Sequence, residues 1–74
     1  MSSSEIQAVI FPKATWSIAK SKKWLKDNSI KPIKSARETL NFYRYRIQDP
    51  KLFYGFITKK LNNGVELVIG VNST

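Results

Sequence analysis

The chain contains neither cysteine nor histidine, and each absence removes a class of function. Without cysteine no disulfide can staple a small fold, and without either residue the usual zinc sites cannot be built. General acid–base chemistry near neutral pH loses its commonest side chain, and nucleophilic catalysis loses its most reactive one. Carboxylates are also scarce: Glu5, Asp27, Glu38, Asp49 and Glu66 are scattered along the chain, so nothing gathers the acids a metal or a general acid–base pair needs. The few glycines form no phosphate-cradling loop. No apolar run approaches the roughly 18 residues of a bilayer-spanning helix. The start, Met1-Ser2-Ser3-Ser4-Glu5, has neither the basic segment nor the apolar core of a secretory leader. The expectation is a protein that is no enzyme, holds no metal or cofactor, and works in solution inside a cell, away from membranes.

What the chain has in excess is positive charge. Thirteen Lys and Arg face five Asp and Glu, leaving +8 on 74 residues. Such a balance favours polyanionic partners, because basic contacts to phosphates release condensed counterions. Hydrophobic residues make up 42% of the chain, too many for a disordered tail and enough for a single small domain over residues 1–74. Residues 1–4 and 72–74 are expected to fray.

Ile6 to Phe11 is an apolar run suited to a strand at a sheet centre, and Pro12 ends it. Thr15 is a candidate N-cap for a helix from Trp16 to Asn28. Its Ile18, Ser21, Trp24 and Leu25 share one face, with Lys20, Lys23 and Asp27 opposite and Lys26 beside them. A second strand is expected over Ile33–Arg37, a turn through Glu38–Asn41, and a third strand from Phe42 to Gln48. In that third strand Tyr43, Tyr45 and Ile47 alternate with Phe42, Arg44, Arg46 and Gln48. Asp49-Pro50 reads as a cap and first helical residue of one turn through Phe53. Tyr54–Leu61 and Val65–Val71 read as a hairpin around Asn62-Asn63-Gly64. A two-residue loop would oppose Leu61 to Glu66. A three-residue loop with a left-handed Gly64 opposes Leu61 to Val65, Ile57 to Ile69 and Lys60 to Glu66, and is preferred because it gives apolar pairs and an ion pair on separate faces. The fold expected is α+β: a single helix packed on one face of a small, mainly antiparallel sheet, in the order β-α-β-β-β-β. One helix cannot cover both faces, so the second face meets solvent, a second copy or a ligand.

Taken together, Ile6–Lys13, Lys23-Trp24-Leu25-Lys26, Lys31-Pro32, Glu38-Thr39, Phe42–Arg46, Thr58–Leu61, Gly64-Val65 and Leu67–Gly70 resemble a small domain of tailed-phage and large-DNA-virus proteins. That domain accompanies prohead-protease-like or virion-associated polypeptides. The resemblance spans Ile6 to Val71 and rests on strand and helix patterns rather than a catalytic signature. It implies viral origin, association with DNA or a capsid, and a place in a host cytoplasm or nucleus or in a virion; it does not imply protease activity. The family pattern has a small residue where Ser21 stands, and an arginine where Ile57 stands here, which puts a shared basic site on that strand in doubt.

Two groups of residues point to binding. Phe42, Arg44 and Arg46 share one strand face, and an exposed ring flanked by guanidiniums can stack on a base while holding phosphates. The bland alternative is edge core with solvated arginines that discourage aggregation. Lys20, Lys23 and Lys26 form a helix stripe with little compensating acid, which can follow a phosphate backbone or simply be solvated. Of Lys59 and Lys60, on opposite strand faces, Lys59 is the one left free to join this surface if Lys60 pairs with Glu66. Trp24 is read as core and Trp16 as a cover over the sheet end. The leading expectation is a nucleic-acid-binding module with little sequence specificity, for DNA rather than RNA, able to act as a homodimer. The alternative is a virion or scaffold module that docks a viral structural protein or a second copy through the open sheet face, with Val9, Phe11 and Val68 facing outward.

Overall fold

The computed structural model describes residues 2–73. Five strands form one antiparallel sheet: β1 (Ser2–Pro12), β2 (Arg37–Glu38), β3 (Phe42–Arg46), β4 (Gly55–Lys60) and β5 (Glu66–Ser73), in the spatial order β2-β3-β1-β5-β4. The helix α1 (Ile18–Asp27) lies on one face, and a single 3-10 turn, Pro50–Leu52, links β3 to β4. This is the α+β order anticipated from the sequence. The apolar run of β1 occupies the centre of the sheet, paired to β3 on one side and β5 on the other.

The core lies between α1 and the sheet. Val9 opposes Tyr45 and Phe11 opposes Tyr43 across β1 and β3, so alternation sends all four toward the helix. Val9, Phe11, Leu25, Tyr45 and Val65 form the buried cluster. The Phe11 ring lies 5.1 Å from Trp16, 5.7 Å from Trp24 and 5.6 Å from Tyr45, in tilted or edge-on geometries that aromatic quadrupoles favour. Val9 and Phe11 therefore do not face outward as expected, because their register partners on β3 are the helix-facing tyrosines. Val68 does lie on the other face, but it is buried.

One buried polar link ties helix to sheet. The Ser21 hydroxyl donates to the Ile18 carbonyl at 2.8 Å. Its single proton is thereby used, so the Tyr45 hydroxyl donates to Ser21 Oγ across 2.6 Å. A second buried polar residue, Gln7, marks a β-bulge where the register steps from Ile6↔Ile69 to Ala8↔Val68. Its carbonyl accepts from the Ile47 and Gln48 amides, and its side-chain amide donates to the Gln48 carbonyl. The bulge thus anchors the start of the β3–β4 crossover, which explains a glutamine inside an apolar run.

Several boundaries differ from the sequence reading. The helix is capped by Ser17, whose hydroxyl accepts from the Lys20 amide, and not by Thr15. The amides of Thr15 and Trp16 instead close a turn on the Pro12 carbonyl, and the Trp16 indole donates to Asn63 over the sheet end. The expected strand Ile33–Arg37 shrinks to Arg37–Glu38: Pro32 offers no amide, and Ile33 makes one bond to the Arg46 carbonyl before the chain swings away. Toward the chain ends Ser2, Ser3 and Ser4 stand opposite Ser73, Asn72 and Val71; residues 1 and 74, also expected to fray, lie outside the described residues. The β4–β5 hairpin has the three-residue loop, with Ile57 opposite Ile69, Lys60 opposite Glu66, and Gly64 at φ +87. The Leu61 amide donates to Val65, and Asn63 Oδ1 accepts from the Val65 amide.

Candidate functional site

On the face away from α1, strands β2 and β3 place Arg37, Arg44 and Arg46 together. Arg37 and Arg44 are direct cross-strand partners, and Arg46 follows two residues along β3 on the same side. With Lys34, Ser35 and Thr39 they line a groove of about 460 Å³. All the arginines of the chain converge there, and no carboxylate joins them. The nearest acid in sequence, Glu38, alternates to the helix side and pairs with Lys13 at 2.6 Å, the one ion pair among the described residues. Lys13 also sits 5.3 Å from the centre of the Tyr43 ring. The groove cations are thus uncompensated among the described residues.

Of the residues singled out from sequence, the structure brings together Arg44, Arg46 and Phe42. Phe42 shares their face, opposite Pro12 at the end of β3, and is 38% exposed, although it stands outside the groove lining. Lys20 and Lys23 lie on the outer surface of α1, on the other side of the sheet. Lys26 lines a separate crevice at the helix C-terminus. Lys59 opposes Leu67, which packs toward the helix side, so Lys59 does not join the arginines. Lys60 faces Glu66 on the open side without closing an ion pair.

Arg37 and Lys34 are the groove residues that sequence reading missed. The sequence pattern puts Arg37 at the last position of a longer strand before a four-residue turn. The Thr39 amide and hydroxyl instead bond Phe42, tightening the turn onto Leu40-Asn41 and bringing Arg37 opposite Arg44. The rarity of arginine beside lysine was the available signal: three arginines within ten residues of sequence.

Apolar rings stand at the other end of the open face. Phe53 lies directly over Gly70, where an added Cβ would come within 2.3 Å of its ring. Phe53 stacks edge-on to Phe56 at 6.1 Å, and Phe56 remains 49% exposed. Arginines and apolar rings thus occupy opposite ends of one face. Among the described residues no group of His, Cys, Asp or Glu could hold a metal ion, and no helix is long and apolar enough to cross a membrane.

No family model, curated protein or solved structure matches the chain.

Proposed function

We propose that the chain is a non-enzymatic nucleic-acid-binding module of low sequence specificity, DNA before RNA, which holds phosphates in the groove of Lys34, Arg37, Arg44 and Arg46. The observation that carries this reading is the acid-free convergence of every arginine, including a directly opposed Arg37–Arg44 pair. Like charges facing each other across strands destabilise a sheet. A polyanion supplies the missing negative charge, and guanidinium forks match phosphate oxygens in bidentate pairs. Phe42 offers a partly exposed ring on the same face for base stacking. The resemblance to virion-associated domains supports a viral setting for this binding.

The test is fluorescence anisotropy with labelled oligonucleotides over a salt series. Contacts from the four groove cations give a log–log salt slope of roughly −3 on a single strand, at about −0.7 per phosphate. Replacing Arg44 and Arg46 together by Ala is expected to weaken binding and flatten the slope by about 1.4, while the circular dichroism spectrum stays unchanged. Unchanged affinity and slope in that variant would sink the groove as the binding site.

A second reading, docking of a protein partner or a second copy, is favoured by one observation. Strand β4 is a sheet edge, and Phe56, Ile57 (61% exposed) and Tyr54 (71% exposed) crowd it. An unpaired edge rimmed by apolar side chains is a template for strand addition. Concentration-dependent mass in sedimentation equilibrium, abolished by Ile57→Lys, would support it.

A further inference from the structure

The last turn of α1 and the chain that follows it enclose a second cavity. Asn28 ends the helix, Ser29 adopts the left-handed conformation at φ 57, and the Ile30 amide reaches back to the Leu25 carbonyl at 2.8 Å. The Ser29 amide bonds Lys26 at 3.1 Å, completing a Schellman closure in which Ile30 packs toward Leu25. From there the chain runs over the β3 edge to β2. The space left is a crevice of about 530 Å³, floored by Leu25, Ile30, Pro32 and Tyr45 and rimmed by lysines, Lys22 and Lys26 among them. That volume falls within the roughly 300–1,000 Å³ of ligand pockets.

Three features restrict what it can hold. The floor is apolar, and the Tyr45 hydroxyl is already committed to Ser21, so the floor offers shape and contact rather than hydrogen-bond readout. Charge is offered only at the rim, by Lys22, Lys26, Lys31 and Lys34, and none by the apolar floor. Its occupant is therefore the neutral body of a ligand whose charge lies elsewhere. Finally, Lys34 and Ser35 line both this crevice and the arginine groove, so the two are contiguous around the β3 edge.

Resting on the nucleic-acid reading above, we propose that the crevice receives one unstacked base of a single strand whose phosphates lie in the adjoining arginine groove. The aliphatic stems of Lys22 and Lys26 flank the base while their ammonium groups stay in water. Because contact replaces hydrogen bonding, any base fits, and a duplex, whose bases are paired, does not deliver one.

The experiment follows the Ile30 and Leu25 methyl signals by NMR while the protein is titrated with a short oligothymidylate, the same sequence as a duplex, and an abasic strand of equal length. Anisotropy is recorded in parallel, and the remote, exposed Ile57 methyls serve as control. Expected are shifts of Ile30 and Leu25 that saturate with single-strand binding and are absent with the duplex, and an affinity about tenfold lower for the abasic strand. Equal affinity for base-bearing and abasic strands, with silent crevice methyls, overturns the base site while leaving the phosphate groove intact. Absence of binding by all three strands overturns the groove and the crevice together. Crevice shifts with a medium-chain fatty acid but none with the oligonucleotide overturn the proposal in favour of an amphipathic acid.

Discussion

Beneath α1 the sheet is closed by Val9, Phe11 and Tyr45, whereas across it the same strand β3 sends Arg44 and Arg46 into a groove with no counter-charge. The two faces differ by a single step of strand alternation. One face concentrates the apolar contacts that stabilise a small chain without staples; the other tolerates opposed arginines that work against stability. The open face is itself divided, with Phe53 and Phe56 over β5 and β4 and the arginines over β2 and β3. Stability and charge are thus separated in space, so substitutions on one side should leave the other nearly untouched.

The closed face is the more vulnerable of the two. Phe11→Ala removes the ring around which Trp16, Trp24 and Tyr45 gather, and is expected to cost about 3–5 kcal/mol, enough to unfold much of a small domain in chemical denaturation. A loss below about 1 kcal/mol would mean that the core is not centred there. On the open face, Gly70→Ala must displace the Phe53 ring, and urea titration should show a loss of roughly 1–3 kcal/mol. A neutral result would show that the crossover does not rest on Gly70.

Ser21→Ala strands the buried Tyr45 hydroxyl and should cost about 1–3 kcal/mol; pairing it with Tyr45→Phe should recover part of that loss, whereas additive costs would deny the bond. Arg37→Thr sharpens the contrast between faces, since it removes a like-charge opposition. It is expected to raise the midpoint of thermal unfolding slightly while weakening oligonucleotide binding and flattening its salt slope by about 0.7. A fall in both stability and affinity would recast Arg37 as structural. Smallest is Ser29→Gly, which relieves a left-handed serine and should stabilise by roughly 0.5 kcal/mol, the difference between the strain removed and the entropy glycine adds to the unfolded chain. A destabilisation would mean that the Ser29 side chain makes a contact that matters.

Much of the fold could be read from local patterns. The alternation of Phe42–Arg46, the Asp49-Pro50 cap and the left-handed Gly64 are near-neighbour effects, and each stands in the structure where the residues predict it. The β4–β5 register followed because only one loop length sets Ile57 against Ile69 and Lys60 against Glu66. Less accessible were the facing of Val9 and Phe11, in an apolar run without alternation, and the cap at Ser17, which follows a turn closed by the Thr15 and Trp16 amides on the Pro12 carbonyl. Of the candidate site, the two β3 arginines and Phe42 were legible together, but their companions Arg37 and Lys34 were not.

The sequence by itself determined the excess of positive charge, the absence of cysteine and histidine chemistry, the approximate places of the helix and of β1, β3, β4 and β5, and which side chains share a face within β3 and the β4–β5 hairpin. All of these depend on composition or on neighbours along the chain. Only the tertiary structure decided which face the helix covers, which strands adjoin, and hence that Arg37 meets Arg44 and that an apolar crevice opens onto the same edge. Those relations link residues through sheet order and a short, tightened turn, and backbone pairing across that distance leaves no periodic trace in either strand alone.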